Sequence, residues 1–244
     1  MAPANASDSD KILSIADNVE RVRTRMRQAA DRAGRDPMSV RLVAASKTVD
    51  TARIRAAIAA GVTILGENYL QETRQKLGQL GRADVEWHLI GPLQRNKVRY
   101  VFDLFDMMQS LDRLELAEEI NRRAERLGRR PPVLLEVNVG GEASKSGWTP
   151  ASLLNDVRRL AVLPHIQVRG LMTIPPPTPQ PDAARPFFRQ LRQLRDRLAQ
   201  EGYDGMSFDE LSMGMTADYE VAIEEGATLV RVGTAIFGPR PERR

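Results

Sequence analysis

Short apolar runs alternate with helical patterns eight times along this chain, and that alternation narrows the fold more than any other feature. The runs lie at 41–47 (RLVAASK), 62–67 (VTILGE), 85–91, 106–110, 132–139, 166–174, 208–214 and 227–233. Segments with helical periodicity follow them at 51–60, 68–80, 93–101, 112–127, 150–160, 183–200 and 216–225. Strand then helix, repeated, predicts parallel βαβ units. Eight such units in about 200 residues predict a single-domain (β/α)8 TIM barrel at the compact end of its range. An open doubly wound sheet is the alternative, but the GxGxxG turn expected after its first strand is absent. Before the first strand, Ile12, Ile15, Val19, Val22, Met26 and Ala30 recur near a 3.6-residue period. They predict an extra N-terminal helix, capped by Asp8 or Ser9 and ended by Gly34 and Pro37. Residues 1–8 read as a flexible tail and 9–244 as the barrel, with AIFGPRPERR leaving no room for a second domain.

Composition removes several chemistries. The chain has no cysteine, so disulfides, thiolate zinc sites and a cysteine nucleophile are excluded. Two histidines, His88 and His165, argue against a multi-histidine metal centre, and no metal site is expected. The charge is only +4, from 36 basic and 32 acidic residues. Basic clusters at 21–27 and 122–130 read as solvated helix faces, so no nucleic-acid partner is expected. No apolar run approaches the ~18 residues of a membrane span, and the N-terminus lacks a signal-peptide pattern. A cytoplasmic protein without membrane attachment is the expectation. IPPPTPQP at 174–181 reads as a stiff connection after the sixth strand. Five lysines stand against thirty-one arginines, so a lysine in an apolar setting is conspicuous.

Functional groups of a barrel collect where its strands end and the βα loops begin. The first run ends at Lys47, and two-residue alternation places Arg41, Val43, Ala45 and Lys47 on one face, with Leu42, Ala44 and Ser46 on the other. An amine in an apolar setting sheds its charge more readily, and the neutral amine is the nucleophile that attacks an aldehyde. The alternative is an ion-paired lysine on the barrel rim. The seventh unit ends in SMGMTAD (212–218), where the Ser212 and Thr216 hydroxyls, Gly214 and helix-terminal amides suit a phosphate. Helix capping by Thr216 competes with that reading. In the eighth run, Leu229, Arg231 and Gly233 share a face, so a lumenal Arg231 would meet a polar ligand. A structural arginine paired with Glu136 is the competing reading. Together, a lysine for an aldehyde, an arginine for a ring acceptor and a phosphate cradle describe a site for pyridoxal 5′-phosphate.

Seven segments carry a resemblance that spans nearly all of the barrel: AASKTV (44–49), GENYLQE (66–72), EWHLIGPLQRNK (86–97), SKSG (144–147), RGLMTIP (169–175), LSMGMTADYEVAI (211–223) and VRVGTAIFG (230–238). The chain resembles the pyridoxal phosphate homeostasis proteins, a family similar to the barrel domain of alanine racemase (fold type III of these cofactor proteins). The resemblance implies that Lys47 is the Schiff-base lysine and Arg231 the partner of the ring nitrogen. It places phosphate contacts at Ser212, Thr216, Gly233 and Thr234, and brings Asn68, Met213 and Met215 close to the cofactor. Thr216 stands where serine is common in the family, and the hydroxyl is retained.

The implied function is cofactor binding and carriage without substantial turnover, by a monomer that serves pyridoxal phosphate-dependent apoenzymes. Arginine is a donor only, so it disfavours protonation of the ring nitrogen and weakens the ring as an electron sink. Racemases similar to this barrel take a second base, a tyrosine, from an extra domain, and none of Tyr69, Tyr100, Tyr203 and Tyr219 fits that role. His88 is the alternative acid–base group, although a structural, hydrogen-bonded histidine is the expectation for it. Two other readings stay open: a weak racemase or decarboxylase, and a Schiff-base aldolase, against which a lysine on the first strand counts. Lys145, in SKSG, is the second choice for the reactive amine.

Overall fold

The computed structural model describes residues 14–82, 84–142 and 145–239. The expected tail at 1–8, with Ile12 and the expected caps Asp8 and Ser9, lies outside these residues. The first helix, α1 (Ile15–Arg32), is instead capped at Ser14. Ser14 Oγ accepts from the Asp17 N–H at 3.1 Å, and the Asp17 carboxylate accepts from the Ser14 N–H at 3.1 Å. The reciprocal pair satisfies two end groups that the helix itself cannot. Val19, Val22, Met26, Ala29 and Ala30 form its buried stripe. Several of its basic residues are ion-paired, among them Arg25 with Glu220 at 2.5 Å and Arg27 with Glu20 at 2.6 Å.

Eight strands follow: β1 (Arg41–Ala45), β2 (Ile64–Glu67), β3 (Glu86–Leu89), β4 (Met107–Leu111), β5 (Pro132–Glu136), β6 (Gln167–Met172), β7 (Glu210–Met215) and β8 (Leu229–Val232). All pair in parallel in chain order, and β8 closes on β1 with Arg41 opposite Leu229 and Ala44 opposite Val232. The fold is a (β/α)8 barrel. Its helices are α2 (Thr51–Ala59), α3 (Leu70–Leu80), α4 (Leu114–Leu127), α5 (Pro150–Ala161), α6 (Arg185–Glu201), α7 (Tyr219–Glu224) and the one-turn α8 (Thr234–Phe237). α1 packs on α2, α7 and α8, across the junction where the barrel closes.

One connection departs from expectation. Residues Arg95–Asp103 wind as a 3₁₀ helix where the sequence pattern predicts an ordinary helix over 93–101. Val98 and Val101 are its buried residues, three apart, together with Phe102. A three-residue repeat aligns such a pair on one side. The 174–180 stretch forms neither helix nor strand and leads into a short 3₁₀ turn at Pro181–Ala184.

Alternation along the strands sorts the core into two layers. Val43, Ile64, Met107, Leu134, Met172 and Leu229 form a small cluster inside the barrel. Leu65, Trp87, Leu135, Leu211 and Val230 belong to a much larger core shared with the helices. Each such fully buried side chain contributes about 1.5–3 kcal/mol over exposure, so the outer layer carries most of the stability. The lumen is thereby free to be polar at both ends. At the bottom, Arg41 pairs with Glu210 at 2.5 Å, and Thr228 Oγ1 donates to the other Glu210 oxygen at 2.6 Å.

Candidate functional site at the barrel mouth

β1 stops at Ala45, two residues short of the expected Lys47, because Ser46–Thr48 turn away. Thr48 has φ +65°, a left-handed conformation that a β-branched residue adopts only under constraint. Lys47 therefore stands on a tight turn just beyond the strand, partly buried. The turn is held from behind. Thr48 N–H donates to Glu72 Oε1 at 2.5 Å, and Ser46 Oγ donates to Glu67 Oε1 at 2.6 Å.

Arg231 lies buried at the top of the lumen, 3% exposed. Its guanidinium donates to Ser212 Oγ at 2.5 Å and to the Thr173 carbonyl at 2.7 Å. Ser212 Oγ donates in turn to Gln109 Oε1 at 2.6 Å, and Gln109 Nε2 meets His88 Nδ1 at 2.8 Å. Since the Gln109 oxygen is already an acceptor, its amide nitrogen donates to Nδ1. That leaves His88 Nε2 to donate to Glu86, 3.0 Å away. His88 is thus a fully buried, hydrogen-bonded link in a chain that crosses the lumen and ends on Arg231. Burial pushes the arginine down to about 10, a loss that the Glu136 and Asp218 carboxylates oppose. It keeps its charge at neutral pH.

Glu136, at the end of β5, does not make the ion pair with Arg231 weighed above. The arginine's hydrogen bonds go to Ser212 and Thr173 instead. Burial and the neighbouring Asp112 charge push the Glu136 carboxyl up to about 7, although Arg231 draws it down. With Asn68, Asn138 and Lys145, Glu136 lines a cavity of about 250 Å³ at the mouth. The Asn68 and Asn138 side-chain oxygens are buried there with no partner among the described residues. Lys145 pairs with Glu142 and sits 3.5 Å from the Ile174 carbonyl.

At the ends of β7 and β8, Gly214 has φ +89°, and a Cβ there would lie 2.5 Å from the Ala222 Cβ. Only glycine lets α7 pack so closely on the strand end. The loop that follows carries Thr216, whose Oγ1 accepts from the Gly233 N–H at 3.3 Å. Gly233 faces β1: a Cβ built on it would lie 3.1 Å from the Ala45 carbonyl oxygen. Thr234 is exposed and opens α8. Thr216, Gly233 and Thr234 are thus gathered beside the strand end that carries Lys47, with Arg231 below. Asn68 stands over β3, its Cα 2.6 Å from where a Gly91 Cβ would be.

Two expected contacts have other surroundings. The Ser212 hydroxyl is committed to Gln109 and Arg231 inside the lumen, so it orients the arginine. The Met213 side chain is buried in the outer core, which leaves only its backbone toward the mouth, whereas Met215 is exposed. Sequence reasoning missed Gln109, Thr173, Glu67, Glu72 and Lys76. Gln109 was within reach, because it shares the lumenal parity of Met107. Lys76, one of five lysines, falls on the buried side of α3 with Thr73.

The alanine racemase N-terminal domain family matches residues 15–241. The pyridoxal phosphate homeostasis protein of Aquifex aeolicus is 46% identical over 228 residues, 93% of this chain and 99% of that protein. Its counterpart from Pseudomonas aeruginosa is 45% identical over 229 residues, 93% and 96% of the two chains. The structure of PipY from Synechococcus elongatus with pyridoxal phosphate bound superposes with a TM-score of 0.80 at 38% identity, covering 92% of this chain and all 100% of that one. Clostridium difficile alanine racemase shares the fold alone, with a TM-score of 0.70 at 16% identity over 93% of this chain and 57% of its own. With its closed eight-stranded barrel and its near full-length matches, this chain belongs to the pyridoxal phosphate homeostasis protein family, built on the alanine racemase N-terminal domain.

Proposed function

We propose that this protein binds pyridoxal 5′-phosphate at the barrel mouth and carries it for apoenzymes, with little turnover of its own. The observation that carries the reading is Arg231, a buried cation fixed by Ser212 and Thr173 directly beneath the mouth. These bonds take two of the five guanidinium donors, so the cation can donate to a polar ligand above it. The residues fit the cofactor on independent grounds. Asn68 and Asn138, whose buried oxygens have no partner among the described residues, line the cavity at the mouth, and Gly233 lies beside Thr216 without a side chain to fill the space.

Bound pyridoxal phosphate supplies an aldehyde and an electron-accepting ring. Lys47 supplies the amine that holds the aldehyde. The Thr216 and Thr234 hydroxyls would donate to the phosphate, Gly233 would let backbone approach it, and Asn68 and the backbone of Met213 and Met215 would stand near the cofactor. Arg231 faces the ring nitrogen, and Ser212 keeps it there. An arginine that stays charged donates to that nitrogen without protonating it, so the ring remains a weak electron sink. That suits retention and release better than catalysis.

Among the described residues no helix is long and apolar enough to cross a membrane. A cytoplasmic monomer that meets apoenzymes by diffusion is the setting this reading implies. A second reading, slow proton exchange on amino acids, is favoured by Glu136, a carboxyl held near 7 in the mouth and so able to accept and return a proton at neutral pH. The deciding experiment loads the protein with pyridoxal phosphate, records its visible absorbance, reduces it with borohydride and maps the labelled peptide. The expected label is on Lys47. A label on Lys145 or Lys97 instead overturns the assignment.

A further inference from the structure

Lys76 is nine-tenths buried behind the mouth, on the outer side of β2. Its Nζ has three acceptors: the Ser46 carbonyl at 2.6 Å, Glu67 Oε1 at 2.6 Å and Glu72 Oε1 at 2.6 Å. An ammonium has three donors, so the set is complete. The acceptors lead to one place. Ser46 gives its carbonyl to Lys76 and its hydroxyl to Glu67, and Thr48 gives its N–H to Glu72. Both neighbours of Lys47 in sequence are therefore fastened to this cluster, and Lys47 itself lies between the two fastenings.

A cluster that served only to dock α3 on the barrel would end on β2. This one ends on the backbone of the turn, and the turn needs it. Thr48 sits at φ +65°, where a β-branched residue does not stay unless its surroundings over-determine it. Burying two charged groups, Lys76 and Glu67, is itself costly, and hydrophobic residues would dock the helix at least as well. The cost is understandable where a reactive group must be held in one orientation.

We propose that Lys76, with Glu67 and Glu72, is a positioning device that fixes the turn carrying Lys47 and so sets the angle at which Lys47 meets its ligand. This rests on the reading of Lys47 as the residue that holds pyridoxal phosphate. It also gives a role to GENYLQE, whose two glutamates supply both carboxylates of the clamp. Lys76 touches no ligand and acts through Ser46 and Thr48.

The test compares the loaded wild type with Lys76→Met, the double variant Lys76→Met with Glu67→Gln, and Thr73→Ala as a control elsewhere on α3. Thermal midpoint, induced circular dichroism of the bound cofactor and its rate of loss are read on each. Lys76→Met strands the buried Glu67 charge, so its midpoint falls. The double variant removes that charge and recovers much of the midpoint. In both, cofactor loss is expected to quicken on the order of ten-fold or more, with weakened induced dichroism, since small displacements of a reacting group have effects of that size. Thr73→Ala lowers the midpoint, through its lost bond to the Tyr69 carbonyl, and changes neither signal. Dichroism and loss rate that return to wild type together with the midpoint overturn the proposal. So does a wild-type signal in Lys76→Met. If neither variant folds, Glu72→Gln, at a partly exposed position, is expected to act in the same direction, and an unchanged signal there overturns the idea equally. A wild type without a borohydride-fixed label on Lys47 overturns the cofactor reading and this inference with it.

Discussion

Replacing Glu136 by Gln is expected to remove a pH-dependent weakness of the fold. The carboxyl stands at the end of β5, where burial and Asp112 raise it from 4.5 to about 7 against the pull of Arg231. In the unfolded chain it releases its proton near the ordinary value. Between the two values the folded state holds more protons than the unfolded state, so stability falls as pH rises. The contribution is complete below about 4.5 and is lost as pH climbs through about 7. At about 1.4 kcal/mol for each pH unit, the gap from 4.5 to about 7 makes about 3.5 kcal/mol at most. Partial exposure of the side chain trims this toward ~2 kcal/mol. Glutamine keeps the shape and has no proton to lose. Urea unfolding of the cofactor-free proteins at pH 5, 6, 7 and 8 provides the assay. The variant should lead by less than about 1 kcal/mol at pH 5 and by about 2–3 kcal/mol at pH 8. Parallel curves refute the reasoning. A wild type that gains on the variant with rising pH refutes it more strongly, because that is the behaviour of a carboxylate stabilised by pairing with Arg231.

Three further outcomes are expected. Pyridoxal lacking its phosphate should bind at least about ten-fold more weakly than the phosphorylated form, since each charge-assisted hydrogen bond contributes ~1.5–3 kcal/mol; equal affinities by titration overturn the cradle at Thr216, Gly233 and Thr234. Gly214→Ala should lose at least about 2 kcal/mol in denaturant unfolding, because the new Cβ meets Ala222 in a left-handed backbone. Loaded protein incubated with single amino acids in deuterated water should exchange α-protons far below ~1 s⁻¹, and racemisation at ordinary enzymic rates refutes the carrier reading.

The barrel itself was legible because its determinants are local. Eight apolar runs, with a helical pattern between each and the next, leave few ways to bury both faces of the strands. Two-residue alternation then put Leu229, Arg231 and Gly233 on one face and suggested Gly233 for close approach. The cap of α1 was misplaced because the pattern of apolar residues runs past Ser14 into Ile12 and does not mark where the reciprocal bonds form. The 3₁₀ connection was missed because Val98 and Val101 suit either helix at so short a length.

The sequence alone therefore determined the number, order and facing of the strands, and the residue types at the mouth. Those follow from periodicity and from the chemistry of single side chains. Only the tertiary structure decided what each polar group is bonded to. Ser212 meets Gln109 across 103 residues of chain, and Lys76 reaches the Ser46 carbonyl across 30. Such pairs leave no periodic trace, because a hydrogen bond depends on closure of the barrel to bring its partners within 3 Å. Closure is what bonds the Ser212 hydroxyl, an expected phosphate contact, to Gln109 and Arg231. It also set a buried lysine behind the turn that carries Lys47.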